Sequence, residues 1–137
     1  MTEAWFYVTE EAGTHAAEQL LARLLERALR SRRQLYLHCA TEDQAAAVSD
    51  SLWQGTRFIP HGLAGAPAQQ LIIGHGDDPG GQHDILVNLA DQIPDHFSRF
   101  QRVIELVTGD AASRQLSREK WTFYKHRGYP VERHELG

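Results

Sequence analysis

Arg114, Arg118, Trp121 and Lys125 combine two kinds of chemistry at a spacing that unites them. On an α-helix, at about 100° per residue, the four fall in one narrow stripe with no carboxylate inside it. Guanidinium and ammonium groups bind anions, and arginine can hold a carboxylate through two parallel hydrogen bonds. The indole adds an apolar face whose exposure costs on the order of 1–3 kcal/mol unless something covers it. Such a stripe suits an acidic peptide carrying a hydrophobic residue. The plainer alternative is a solvated charged face, with Trp121 packed under a neighbouring loop. Ala112, Leu116 and Phe123 fall on the other side and are expected to meet the core.

The helix that carries the stripe is well signalled. Asp110 follows Gly109 and can cap the first turn, Gly128 suits the position just past the last turn, and Tyr129-Pro130 ends it. Lys120, Lys125 and Arg127 near its C-terminal end also complement the helix dipole.

Charge is distributed unevenly. The chain holds 14 Lys and Arg against 18 Asp and Glu, a net of -4. From Ala111 onward there are six basic residues (Arg114, Arg118, Lys120, Lys125, Arg127, Arg133) and three acidic ones (Glu119, Glu132, Glu135), so this end is +3 and the preceding 110 residues are -7. A local anion-binding surface on an acidic body follows, and broad contact with DNA does not.

No catalytic constellation emerges elsewhere. The Gly-rich run Gly74-His75-Gly76-Asp77-Asp78-Pro79-Gly80-Gly81 has Pro79 where a dinucleotide fingerprint needs glycine, and two aspartates that would repel phosphate. His75, Asp77, Asp78, His83 and Asp84 are metal-ligand types without ligand spacing, so this stretch is expected to be a connecting loop. His38 and Cys39 are strand neighbours pointing to opposite faces, not a nucleophile and its base; His38 is expected to be a satisfied core or sheet-end residue. Neither a cofactor nor a metal nor a small-molecule substrate is expected.

The elements that must position the stripe read as alternating strands and helices. Strands are expected at Ala4 to Thr9, Leu35 to Cys39, Leu71 to Ile73, Ile85 to Leu89 and Val103 to Val107. Helices are expected from Thr14 to about Ser31, after the capping box Thr41-Glu42-Asp43-Gln44, over Ile93 to Phe100, and over the C-terminal stripe. This order predicts a single domain over residues 1–137: an α/β fold, a Rossmann-like three-layer α/β/α sandwich with a mostly parallel sheet and a C-terminal helix. The 137 residues, 42% hydrophobic, allow one core. The single Cys39, the lack of an 18-residue apolar run and an acidic N-terminus predict a soluble cytoplasmic protein without membrane contact.

A second surface is apolar. Leu52-Trp53 followed by Phe58-Ile59-Pro60-His61-Gly62-Leu63 either caps one edge of the core or forms an interface for another protein.

Over nearly its whole length the chain resembles the chi subunit of bacterial DNA polymerase III holoenzyme. The resemblance rests on Phe6-Tyr7, Leu52-Trp53, Phe58-Ile59-Pro60-His61-Gly62-Leu63-Ala64-Gly65, Asp84-Ile85-Leu86-Val87-Asn88-Leu89, and Leu116-Ser117-Arg118-Glu119-Lys120-Trp121 leading to Tyr124-Lys125 and Gly128-Tyr129. It implies a non-catalytic subunit of the clamp-loader assembly. Such a subunit binds the acidic C-terminal tail of single-stranded-DNA-binding protein, which ends in Pro-Phe, and is linked through the psi subunit, so its contact with DNA is indirect. The tail-binding positions implied are Val107, Arg114, Arg118 and Trp121, with Lys125 substituting for a basic residue where Thr122 stands. For psi the apolar patch supplies Trp53, Phe58, Ile59, Pro60 and Leu63. The competing class is a weak direct binder of single-stranded nucleic acid, with the same cations on phosphates and Trp121 stacked on a base.

Overall fold

The computed structural model describes residues 1–13, 15–54, 62–63 and 70–135, with the backbone alone at 53, 54, 62 and 63. Among the described residues seven strands form one sheet: β1 (Glu3–Val8), β2 (Leu35–Cys39), β3 (Gly62–Leu63), β4 (Leu71–His75), β5 (Ile85–Asn88), β6 (Arg102–Val107) and β7 (Val131–Glu135). Their order is β3-β4-β2-β5-β6-β1-β7, and every neighbouring pair is parallel. The expected three-layer sandwich is present, with the sheet parallel throughout.

Alternation along the central strands divides the core in two. Tyr7, Leu35, Leu37, Cys39, Ile73, Val87 and Ile104 pack on one face with α1 (Ala16–Leu29) and α2 (Glu42–Gln54). On the other face Phe6, Val8, Tyr36, Leu86, Val103 and Val107 meet the 3-10 helix Asp95–Arg99 and α3 (Ala111–His126). Crossovers that move leftward in the sheet carry α1 and α2 on one side, and those that move rightward carry the 3-10 helix and α3 on the other, as right-handed connections require.

The capping box at α2 forms with a shift: the Gln44 amide N–H donates to Thr41 Oγ1 at 3.1 Å, while Gln44 Oε1 accepts from the Ala40 N–H at 2.6 Å. The Ile93 to Phe100 helix contracts to a 3-10 turn after Pro94. Of the stretch expected as a loop from Gly74, Gly74 and His75 extend β4, and its far end is tied to the chain before β2: Asp84 pairs with Arg33 and accepts from the Gln34 N–H at 3.0 Å, which holds its carboxyl below the usual carboxylate range, with Arg33 the main cause. Among the described residues no group of three histidine, cysteine or acidic side chains could hold a metal ion, and no helix is long and apolar enough to cross a membrane.

His38 is buried as expected but not satisfied. Its Nδ1 has no hydrogen-bond partner among the described residues, and its ring meets that of His96 edge-on at 5.1 Å. Burial, reinforced by His96, lowers its pKa to about 4.

Candidate functional site

α3 lies on the sheet in a different phase from the one expected. Its buried side chains are Lys120 and Tyr124, and Ala112 is exposed while Leu116 is only half-buried. The seam against the sheet therefore runs between the apolar flank (Ala112, Leu116, Phe123) and the basic stripe, not along the apolar flank. A polar network explains the rotation. Glu105, central on β6 and 2% exposed, accepts from Lys120 Nζ at 2.8 Å, from the Tyr124 hydroxyl at 2.8 Å and from Asn88 Nδ2 at 3.0 Å. Lys120 Nζ also donates to the Ala90 carbonyl at 2.9 Å. Burial pushes the Glu105 carboxyl above its ordinary range while these three partners pull it back, and the Tyr124 phenol is raised by burial and by the carboxylate beside it.

Both ends of α3 are fixed. Asp110 occupies the N-cap position but does not cap the helix; its carboxylate accepts from the Gly13 N–H at 3.2 Å and from Thr108 Oγ1 at 2.8 Å, tying the helix start to the segment after β1. These bonds hold Asp110 below the usual carboxylate range, Thr108 first. Gly109 packs so closely on the Glu10 carbonyl that no β-carbon fits. At the other end Gly128 takes φ +82°, its N–H reaching the Lys125 carbonyl at 3.0 Å and that of Tyr129 the Tyr124 carbonyl at 3.1 Å, which is a Schellman cap.

So held, α3 turns its basic stripe toward the edge of the sheet. A cavity of about 290 Å³ is lined by Phe6 and Val8 of β1, Val107 of β6, Arg114, Ser117, Arg118 and Trp121 of α3, and Arg133 of β7. Val107, Arg114, Arg118 and Trp121, picked out from sequence, thus surround one cavity. Lys125 is exposed and is not among its lining residues. Trp121 is half-buried, with its ring 5.1 Å from that of Phe6, which in turn meets Tyr124 edge-on at 6.0 Å. The indole is therefore both packed and available: one side belongs to the core and another to the cavity.

Arg133 was missed because β7 was missed. Val131–Glu135 reads VERHE, with exposed charges at three of five positions and no apolar alternation, as befits an edge strand. Its register sets Arg133 beside Phe6 and Glu135 beside Val8, on the α3 face. Arg133 forms an exposed pair with Glu135 at 3.1 Å.

The cavity's floor is apolar and its wall cationic. Arg118 Nη1 donates to Gln115 Oε1 at 3.3 Å, and no carboxylate among the described residues pairs with Arg114 or Arg118. The volume is at the lower limit of ligand pockets, and the lining can take a small apolar group that carries a negative charge. Of the expected second interface, Phe58, Ile59 and Pro60 lie outside the described residues, and Trp53 and Leu63 are described as backbone only, in the last turn of α2 and in β3.

The family model for the DNA polymerase III chi subunit, HolC, matches residues 1–132. DNA polymerase III subunit chi of Pseudomonas aeruginosa is 42% identical, covering 99% of this chain and 98% of its own. The subunits chi of Haemophilus influenzae and Escherichia coli K12 are each 29% identical, covering 98% and 94% of this chain and 97% and 95% of their own. The chain belongs to the DNA polymerase III chi subunit family.

Proposed function

We propose that this chain is a non-catalytic, cytoplasmic subunit of the replicative clamp-loader assembly and that its α3 cavity grips the acidic C-terminal tail of single-stranded-DNA-binding protein. The observation that carries this reading is the convergence of three guanidinium groups and one indole on a single small apolar cavity. The terminal phenylalanine of such a tail fills the space between Trp121 and Val107, where the ring gains apolar burial and an offset stack. Arg118 takes the terminal carboxylate in a fork, and Arg114 meets acidic residues upstream. Lys125, outside the cavity, adds to the positive field. A free C-terminus is required because only there do a phenyl ring and a carboxylate share one residue.

The second partner is psi, received on the apolar patch of Trp53, Phe58, Ile59, Pro60 and Leu63. That patch is poor in charge while the cavity wall is basic, so one partner cannot suit both.

Fluorescence anisotropy with a labelled acidic peptide ending in Pro-Phe, run beside labelled oligo-dT, tests the reading. Saturable peptide binding that weakens with added salt, and much weaker binding of the oligonucleotide, is the expected result. Tighter binding of oligo-dT than of the peptide would replace it with direct nucleic-acid binding. For psi, co-purification with a Trp53→Ala variant that stays folded is expected to fail while peptide binding persists.

A further inference from the structure

The rotation of α3 leaves the first part of its apolar flank, Ala112 and Leu116, at the surface, whereas Phe123 packs against Phe97. Along the carboxyl edge of the sheet a groove of about 760 Å³ runs between α1, α2 and the first half of α3. Leu21, Val48, Leu106 and Leu116 form its apolar lining, and Ala17 and Ala112 stand exposed beside them. Leu116 and Ala112 are on the groove because Lys120 and Tyr124 take the sheet.

The rim is of one sign. Glu18, Asp91, Asp110 and Glu119 line the groove, and Glu18, Asp91 and Glu119 are exposed. Lys120 is the one cation among the described lining residues, and its ammonium is committed to Glu105 and to the Ala90 carbonyl. The polar groups of the floor are likewise spent: Asn88 donates to the Gln92 carbonyl and Glu105, and Gln44 bonds Ala40 and the Leu89 carbonyl. A small-molecule site needs a few free polar groups that converge on the ligand. This groove offers apolar area and surrounding negative charge instead.

We propose that the groove docks an amphipathic helix of a partner protein, with its apolar stripe on Leu21, Val48, Leu106 and Leu116 and lysines or arginines flanking that stripe toward Glu18, Asp91 and Glu119. A helix laid in a groove uses anchors at i, i+3, i+4 and i+7, and the charge of the rim selects its flanks. The partner differs from the acidic tail by the sign of its charge, so this interface does not depend on the α3 cavity. It also accounts for the acidic body as more than a solubility device.

The test uses a leucine–lysine peptide patterned as an amphipathic helix, titrated into the ¹⁵N-labelled full chain, with a scrambled peptide of equal composition as control. Amide shifts are expected to concentrate at Ala17, Val48, Leu106, Ala112 and Leu116. The double variant Ala112→Arg, Glu119→Lys changes only exposed residues and is expected to weaken binding at least about tenfold, with the circular dichroism spectrum unchanged and acidic-tail binding not weakened. Equal binding of the scrambled peptide, or unchanged affinity of the double variant, overturns the proposal. Sedimentation showing a dimer that the double variant dissociates overturns it in favour of a second copy of this chain.

Discussion

Lys120 of α3 and Glu105 of β6 form an ion pair of 2.8 Å in which the side chains are 9% and 2% exposed. Such a pair contributes little over an apolar replacement, because desolvation of both charges offsets most of their attraction. What it contributes here is orientation. With Tyr124 and Asn88 on the second oxygen, Glu105 accepts one helical phase of α3. That phase presents Arg114, Arg118 and Trp121 to the cavity.

Lys120→Met is therefore expected to cost about 3–5 kcal/mol by leaving the Glu105 carboxylate buried without its counter-charge. Adding Glu105→Gln should recover most of that loss, since the amide oxygen still accepts from Tyr124. Denaturant unfolding of the parent, the two single variants and the double variant measures this. Full additivity of the single losses would show that the two residues act independently.

His38 gives stability a pH dependence with a definite sign. Its folded pKa of about 4 lies below the unfolded value near 6.5, with burial the first cause and His96 the second. Above about pH 6.5 the ring is neutral in both states and the fold has its full stability. As the pH falls toward 4 the unfolded state takes up a proton that the folded state refuses, and on the order of 3 kcal/mol is lost. His38→Asn is expected to flatten unfolding free energy across that window. An unchanged slope would assign the acid sensitivity to other groups.

Gly109→Ala is expected to destabilise the chain by about 1–3 kcal/mol, because the added methyl meets the Glu10 carbonyl and forces the β6–α3 turn away from the segment after β1. Tail affinity should fall too, as Val107 and Arg114 flank this turn. Thermal unfolding together with peptide anisotropy reads both effects, and a variant of parental stability would show that the turn yields without strain.

Much of this architecture is legible in the sequence where local signals and burial agree. β2, Leu35–Cys39, is fully buried and apolar at every position but His38, and Gly128 marks the helix end that it makes. Legibility fails where long-range partners decide. The phase of α3 follows from a buried lysine, which periodicity treats as a surface residue; only the mate, Glu105, flanked on both sides by apolar residues in β6, hints at it. Asp110 had a standard N-cap position, yet Gly13, distant in sequence, took its carboxylate. β7 is polar because it is an edge, so pattern reading passed over it and with it Arg133. The basic stripe was legible because a cluster of cations around a tryptophan departs from ordinary helix surfaces, whatever the helix packs on.

Arg118 and the peptide's terminal carboxylate should behave as one contact. Arg118→Ala is expected to weaken peptide binding at least about tenfold, since a charge-assisted bidentate pair is worth roughly 1.5–3 kcal/mol, with circular dichroism unchanged because the side chain is exposed. Arg133→Ala, whose guanidinium is shared with Glu135, should cost less, about threefold. Amidating the peptide C-terminus should cost the parent about as much as Arg118→Ala does, and the amidated peptide should bind the Arg118→Ala variant no more weakly than the free acid does. The physical reason is that either change removes the same pair of hydrogen bonds, and a contact can be lost only once. Additive losses in this cycle would mean that Arg118 reads an acidic side chain upstream, leaving the terminal carboxylate to Arg114 or Arg133.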